Sequence, residues 1–123
     1  MIRRFIETVG HHDLDALDAL VTADYRHQVE GQPLTLAELK QVLGDLFTAF
    51  PDLESTIDEV TPDGDAVVVR WTGLGTHDGP FMGIAPTGRP VRIDGANRFQ
   101  VRDGLIARDE PQWQLGHVLR QIR

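Results

Sequence analysis

Apolar residues recur at helical spacing through the first fifty positions of the chain. They are three or four positions apart in residues 2–9, and the pattern resumes over residues 14–21 behind Asp13, a residue type that caps helices. A third run, over residues 36–50, has one broad apolar face and follows Thr35, another capping residue. The pattern predicts three amphipathic helices, the first two in close succession.

Beyond residue 52 the period changes from helical to alternating, which is typical of strands. Turn sequences, Pro-Asp-Gly-Asp at 62–65 and Asp-Gly at 103–104, separate the alternating runs. The predicted strands are residues 25–29, 53–60, 66–76, 91–101 and 105–113. Helices followed by hairpins indicate one α+β domain over residues 1–123, in which the N-terminal helices cover a curved antiparallel sheet. The space between the two layers is a natural ligand pocket.

Composition narrows the classes of function. Lys and Arg number 12 against 19 Asp and Glu, which gives a net charge of −7 and argues against nucleic acid and anionic membranes as partners. The chain has no cysteine, so thiolate nucleophiles and cysteine zinc sites are excluded. No uninterrupted apolar stretch suggests a signal peptide or a membrane span, and we expect a cytoplasmic protein. No histidine and carboxylate spacing predicts a metal site.

Several sequence segments carry a resemblance to a known family. Residues 75–89 read Gly-Thr-His-Asp-Gly-Pro-Phe-Met-Gly-Ile-Ala-Pro-Thr-Gly-Arg, and this run resembles the SnoaL-like polyketide cyclases of the nuclear-transport-factor-2-like superfamily. Further pieces in the family's order lie at 24–27, 49–53, 103–106 and 119–122. The resemblance implies a conical α+β barrel with a deep pocket, cofactor-free chemistry in secondary metabolism, and a homodimer or larger homo-oligomer packed through the outer face of the sheet.

The position that the family gives to its catalytic aspartate is Gln114 in this chain. A primary amide cannot act as a general base near neutral pH, although it can donate a hydrogen bond to an enolate oxygen. Glu110 has the same parity as Gln114 if the last strand stays extended, and a carboxylate in an apolar pocket is suited to proton abstraction. We therefore expect Glu110 to be the base and Asp109 to point the opposite way. The alternative is that Glu110 belongs to a solvated strand end.

Other candidate site residues follow from strand parity and from the resemblance. His77 shares a face with Trp71 if no bulge intervenes, and it would act as an acid or hydrogen-bond donor at the pocket mouth. The alternative for His77 is a bond to the backbone of the glycine-rich loop that follows it. The remaining residues expected to line the pocket are Tyr25, His27, Asn97, Phe99 and Trp113, with Trp71 beside them.

A few polar residues are assigned to structural roles. Asp94 and Arg98 share the opposite face of their strand from Asn97 and are expected to form cross-strand ion pairs at the sheet surface or at a dimer interface. His11 and His12 lie at a helix junction and are interpreted as a solvated helix end, while Asp52 is interpreted as a turn or cap residue.

The sequence thus favours an enzyme that performs cofactor-free acid–base chemistry, such as aldol cyclisation, on a small hydrophobic or polycyclic carbonyl compound. In this hypothesis His77, Gln114 and Asn97 stabilise an enolate, and Glu110 removes the proton. Two alternatives stay open. One is a binding protein of the same fold without catalysis. The other is an epoxide hydrolase or hydroxylase, which requires a carboxylate beside an arginine, as in Arg108 with Glu110 or Asp94 with Arg98.

Overall fold

The computed structural model describes residues 2–29, 32–113 and 115–122. Three α-helices, a short 3-10 helix and six strands make up the described part of the chain, and all belong to one α+β arrangement. In chain order they are α1 (Ile2–Gly10), the 3-10 helix (Leu14–Ala19), β1 (Val21–Val29), β2 (Gln32–Leu34), α2 (Leu36–Ala49), β3 (Glu54–Asp63), β4 (Ala66–Thr76), β5 (Pro90–Arg102), β6 (Leu105–Trp113) and α3 (Leu115–Ile122).

The six strands form one curved, unclosed sheet in the order β2-β1-β6-β5-β4-β3. The hairpins pair antiparallel, as the turn sequences predict, but β1 pairs with β6 in parallel. The expectation of a purely antiparallel sheet is therefore wrong at this one junction. The reason is topological, because β1 and β6 are neighbours that no hairpin connects, and their relative direction does not follow from a turn. This junction brings the first and last strands together.

Two helical predictions differ from the structure in detail. The second predicted helix is a 3-10 helix that ends at Ala19, and Asp13 makes no side-chain cap bond there. Residues from Val21 onward are strand instead. The short strand β2 and the terminal helix α3 are elements that the hydrophobic pattern did not predict. Short edge strands and eight-residue helices carry too few periods for the pattern to separate them from loops.

The start of α2 follows local sequence chemistry closely. The hydroxyl of Thr35 accepts a hydrogen bond from the backbone N–H of Glu38, and the carboxylate of Glu38 accepts one from the backbone N–H of Thr35. This reciprocal capping box satisfies two backbone donors that the first turn of a helix otherwise leaves unpaired. It fixes the residue at which α2 begins.

Two apolar clusters fill the space between the helices and the sheet. One packs Phe5 of α1 and Leu39 of α2 against Val69 and Phe99 of the central strands. The other packs Phe50, after α2, against Val91 and Ile93 of β5 and the apolar face of α3. The inward faces of β4 and β5 are those that the alternation predicts. A cavity lined by residues of both clusters lies between them.

The loop that follows β4 packs closely against the C-terminal end of α2. The backbone N–H groups of Asp78 and Gly79 both donate to the carbonyl oxygen of Ala49, the last residue of α2. A Cβ atom on Gly79 would lie 2.1 Å from the carbonyl oxygen of Thr48. Only glycine permits this close approach of two backbones. The loop therefore supplies hydrogen-bond donors to a carbonyl oxygen at the C-terminal end of α2, where the helix itself has no further N–H group to offer.

Asp52 ties the turn after α2 to the end of β4. Its carboxylate accepts hydrogen bonds from the hydroxyl and the backbone N–H of Thr76, at 2.8 and 2.7 Å. These bonds, the hydroxyl bond first, lower the pKa of Asp52 below its usual value. A carboxyl whose pKa is lower in the folded state stabilises the fold above its unfolded pKa, about 3.9, and loses that contribution as the pH falls. The prediction that Asp52 is a turn residue agrees with these contacts.

We expect Asp52→Asn to reduce the dependence of the unfolding free energy on pH between about pH 5 and pH 3. The amide that replaces the carboxylate does not titrate, so the variant loses no stabilisation at this site as acid is added. Urea unfolding at a series of pH values measures the slope. Glu54→Gln, which removes an exposed carboxylate two positions away, is the matched control. An unchanged slope in Asp52→Asn would contradict the linkage.

Candidate functional site

A β-bulge in β6 decides which side chains face the cavity. Gln100 of β5 pairs with Arg108, but the next residue, Val101, pairs with Ile106, so Ala107 has no partner across the ladder. One extra residue reverses the alternation of all side chains beyond it. Asp109 is therefore turned inward.

The bulge also overturns the expectation for Glu110. Its side chain is 40% exposed and lies 4.0 Å from the guanidinium of Arg98 on the outer face of the sheet. It does not line the cavity. The prediction that Glu110 faces the pocket and Asp109 points away is wrong, because it assumed that β6 stays regular from Ile106 onward. The position of Glu110 agrees with the alternative of a partly solvated strand residue.

Asp109 is the centre of a buried polar network. Asp109 is only 2% exposed. Its two carboxylate oxygens accept hydrogen bonds from three side chains. Oδ1 accepts from the amide of Asn97 at 2.6 Å. Oδ2 is 3.0 Å from Nδ1 of His27, its partner across the parallel β1–β6 pair, and 3.3 Å from the hydroxyl of Tyr25. A buried carboxylate is thereby paired and hydrogen-bonded, as burial of a charge requires.

The donors around Asp109 fix the positions of the protons. A carboxylate only accepts hydrogen bonds, so the Nδ1 atom of His27 carries the hydrogen that faces Asp109. Burial, and then the negative charge of Asp109, raise the pKa of Tyr25, whose hydroxyl stays protonated and donates. The neutral tautomer of His27 consequently has its lone pair on Nε2, the nitrogen that remains for a ligand. Within residues 2–29, 32–113 and 115–122, Nε2 has no hydrogen-bond partner.

Trp71 and Asn97 extend the network along the sheet. The indole N–H of Trp71 donates to the amide oxygen of Asn97 at 2.7 Å. This bond fixes the orientation of the amide, so that its nitrogen points to Asp109. Trp71 reaches Asn97 because its ring lies across Gly95, its partner on β5, where an added Cβ atom would lie 2.4 Å from the ring.

Gly95→Ala is expected to displace the Trp71 ring and weaken its bond to Asn97. The substitution should destabilise the fold by about 1–3 kcal/mol, the usual cost of an overpacked side chain. Urea unfolding measures this loss. The matched control is Gly73→Ala on β4, where the added Cβ would contact its nearest neighbour at an ordinary 3.4 Å. Equal stability of the two variants would contradict the close packing of Trp71 on Gly95.

A cavity of about 150 Å³ lies between the helices and the sheet, next to this network. Helices α1 and α2 contribute apolar side chains to its wall, and the strands contribute aromatic and polar ones. The lining residues are Phe5, Ile6, Val9, Gly10, His27, Leu39, Val42, Leu43, Leu46, Phe47, Leu53, Ser55, Trp71, Ile93, Asn97, Phe99, Asp109, Pro111 and Trp113. The wall is thus largely apolar, with His27, Asn97 and Asp109 as a polar cluster on one side.

The structure brings together most of the residues that the sequence suggested for the pocket. His27, Trp71, Asn97, Phe99 and Trp113 line the cavity, and Tyr25 is buried beneath it against Asp109. Gln114 lies outside the described residues. Asp109 is the residue that sequence analysis missed. Pro111, two positions later, pairs regularly with Asn97 and does not mark the bulge at Ala107, which is set by the register between β5 and β6.

His77 does not line the cavity. Its Nδ1 lies 3.0 Å from the hydroxyl of Thr87 and accepts a hydrogen bond from the backbone N–H of Thr87, while its own backbone bonds to Gly88 and Arg89. The expectation of a pocket-mouth position is wrong, because β4 ends at Thr76 and the chain turns away at that point. The alternative, in which His77 holds the glycine-rich loop, agrees with these contacts.

Three structural assignments can also be compared with the structure. His11 is exposed, as expected. His12 is not a solvated helix end: its ring stacks on Phe47 at 3.7 Å, and its Nε2 lies 3.0 Å from the carbonyl oxygen of Leu53. Arg98 pairs with Asp63 of β3, as the expectation of cross-strand ion pairs requires. For Asp94 this expectation is wrong, because its ion pair is with Arg92 of the same strand.

Comparisons with known proteins agree with the fold. A wild-type proposed polyketide cyclase from Streptomyces antibioticus, IdmH, superposes with a TM-score of 0.84 at 29% identity, over 98% of this chain and 94% of its own. A proposed SnoaL-like polyketide cyclase from Jannaschia sp. CCS1 has a TM-score of 0.80 at 29% identity, over 89% and 77%. AclR, a proposed hydroxylase from Streptomyces galilaeus, shares the fold with a TM-score of 0.88 at 24% identity, over 96% and 79%.

No curated protein matches the sequence. None of the described helices is long and apolar enough to cross a membrane. The family model of the SnoaL-like polyketide cyclases matches residues 1–122, almost the full length of the chain. This match and the shared fold show that the chain belongs to the SnoaL-like polyketide cyclase family.

Proposed function

We propose that this protein transfers a proton at the carbon next to a carbonyl group of a hydrophobic compound, with His27 as the acid–base group. The observation that carries the proposal is the contact of 3.0 Å between His27 and the buried Asp109, on the polar side of an otherwise apolar cavity. A histidine oriented by a carboxylate is a recurrent arrangement for proton transfer near neutral pH. Membership of a cyclase family supports the same class of chemistry.

The proposed step begins with the neutral histidine. Nε2 of His27 takes the proton from the α-carbon of the substrate, the C–H bond breaks, and its electron pair forms an enolate. The imidazolium that results stands beside the Asp109 carboxylate, which stabilises its positive charge. In a cyclisation, the enolate carbon then attacks a second carbonyl group of the same molecule and forms a C–C bond. The new alkoxide takes the proton back from Nε2, so the step needs no cofactor.

Asn97 is the proposed donor to the enolate oxygen. One of its amide hydrogens is used on Asp109, and its oxygen accepts the bond from Trp71. The second amide hydrogen remains for a ligand, since no further bond of this nitrogen occurs among the described residues. A donor whose orientation is fixed before the substrate binds stabilises developing negative charge without reorganisation.

This assignment moves the role of base from Glu110 to His27 and leaves no direct role for His77. The hydrolase alternative requires an arginine beside the reacting carboxylate, and the described lining of the cavity contains no arginine or lysine. Arg108 is exposed, and Asp94 and Arg98 lie in surface ion pairs. Proton transfer is therefore the chemistry that the side chains of the cavity support best.

The test is incorporation of deuterium from D₂O into phenylacetone, a ketone with an acidic methylene group, followed by NMR. Wild-type protein should accelerate the exchange above the buffer rate. Asp109→Asn should lower the protein-catalysed rate by about 100-fold or more, because the amide no longer orients and stabilises the charged imidazole. Glu110→Gln, on the neighbouring outward-facing residue, is the control and should stay within about twofold of wild type.

A large loss in Glu110→Gln together with an active Asp109→Asn would overturn the assignment. Binding of phenylacetone by the wild-type protein without accelerated exchange would contradict the proposed proton transfer and favour the alternative of a non-catalytic binding protein. Binding is measured separately by the rise in melting temperature with ligand concentration.

A further inference from the structure

We propose that the cavity accepts a neutral ketone with a single ring, and that Trp113 sets this limit on size. The ketone part of this proposal rests on the proposed function, whereas the limit on size rests on the shape of the cavity alone. Polycyclic substrates, which the family resemblance suggested, would not fit while Trp113 stays in place.

The volume of the cavity is the first observation. A space of about 150 Å³ is comparable to a cavity that holds one benzene-sized molecule, while pockets for drug-sized ligands occupy about 300–1,000 Å³. Aromatic side chains account for the small size, since Phe5 and Phe47 enter from the helices and Trp71 and Phe99 from the sheet. His12 stacks on Phe47 and bonds to Leu53, which holds Phe47 in position.

Trp113 is the second observation. Together with Ile93 it lines both this cavity and a second hollow of about 460 Å³, whose other lining residues include Asp94, Gln112 and His117. Trp113 and Ile93 therefore form a wall between a small apolar space and a larger one whose lining is part apolar and part polar. A ligand with two or three fused rings would have to displace this wall to use both spaces.

The charge of the lining indicates a neutral ligand. Asp109 is the acidic residue of the described cavity wall, and no arginine or lysine accompanies it there. An anionic ligand would meet this carboxylate in an apolar space without a permanent cation to offset the repulsion. The apolar wall matches a hydrocarbon ring, and His27 with Asn97 matches one carbonyl group.

The experiment compares the binding of three ketones that differ only in their rings: phenylacetone, 2-naphthylacetone and 2-anthrylacetone. Isothermal titration calorimetry with the wild-type protein should show phenylacetone bound at least about tenfold more tightly than the two larger ketones. Trp113→Ala should reverse the order, because 2-naphthylacetone gains the space that the indole occupied. Arg108→Ala, an exposed change on the same strand, should keep the wild-type order.

Equal or tighter binding of 2-anthrylacetone to the wild-type protein would overturn the limit on size. If Trp113→Ala does not fold, Trp113→Leu makes the same comparison with a smaller change in volume, and an unchanged order in the folded variant would overturn the role of Trp113. Propylbenzene, which lacks the carbonyl group, tests the need for that group, and phenylacetate, which is an anion, tests the need for a neutral ligand. Both should bind more weakly than phenylacetone. Because these are binding measurements, the limit on size can fail while deuterium exchange succeeds, and the reverse.

Discussion

His27→Gln is expected to lower the rate of protein-catalysed deuterium exchange by about 100- to 10,000-fold, the usual contribution of a positioned acid–base group. Glutamine is close in size to histidine and can still donate a hydrogen bond to Asp109, so the buried carboxylate keeps a partner. It has no group that accepts and returns a proton near neutral pH. The loss should therefore appear in the rate, with a small effect on the binding of phenylacetone.

The control for this variant is His117→Gln, which changes an exposed histidine on α3. It should exchange protons at the wild-type rate. Added imidazole should restore part of the activity of His27→Ala, which leaves space beside Asp109, and should not affect the control. An active His27→Gln variant would show that another group takes the proton.

Gly79→Ala should cause the largest loss of stability among the single changes considered, about 2–3 kcal/mol or more. The added Cβ would lie 2.1 Å from the carbonyl oxygen of Thr48 and 3.2 Å from Cα of Ala49, and both are backbone atoms that cannot turn away as a side chain can. Relief of the clash requires the loop to move, which breaks the bonds from Asp78 and Gly79 to Ala49.

Gly44→Ala is the matched control for this prediction. Gly44 lies inside α2, and an added Cβ would meet no atom within 4 Å. The same substitution there should stabilise the protein by about 0.5–1 kcal/mol, since alanine favours the helix. Urea unfolding measures both variants, and effects of the same sign and size would contradict the role of the close approach at Gly79.

Much of the fold could be predicted from periodicity because its longest elements are regular. The inward faces of β4 and β5 followed from alternation, which placed Trp71, Asn97 and Phe99 on the cavity wall. The capping residue Thr35 marked the start of α2 for a local chemical reason. These predictions depend on interactions within a few residues of each other, which a sequence displays directly.

The centre of the site could not be predicted in the same way. Ala107 is unpaired because of the register between β5 and β6. This one extra residue places Asp109 on the inner face of the sheet and Glu110 on the outer face, the reverse of what regular alternation predicts. The parallel pairing that sets His27 beside Asp109 joins residues 82 positions apart. The predicted position of His77 was wrong for a related reason: it assumed that the alternation of β4 continues to residue 77, whereas the strand ends at Thr76. Long-range register, which local patterns do not specify, decided each of these positions.

The most direct measurement of the central claim is the rate of deuterium exchange in the double variant His27→Gln, Asp109→Asn. If the two residues act as one acid–base unit, the double variant should lose no more activity than the less active single variant, because the second change removes a partner that no longer has a function. Losses that multiply across the two changes would show that His27 and Asp109 act independently, and would contradict the account.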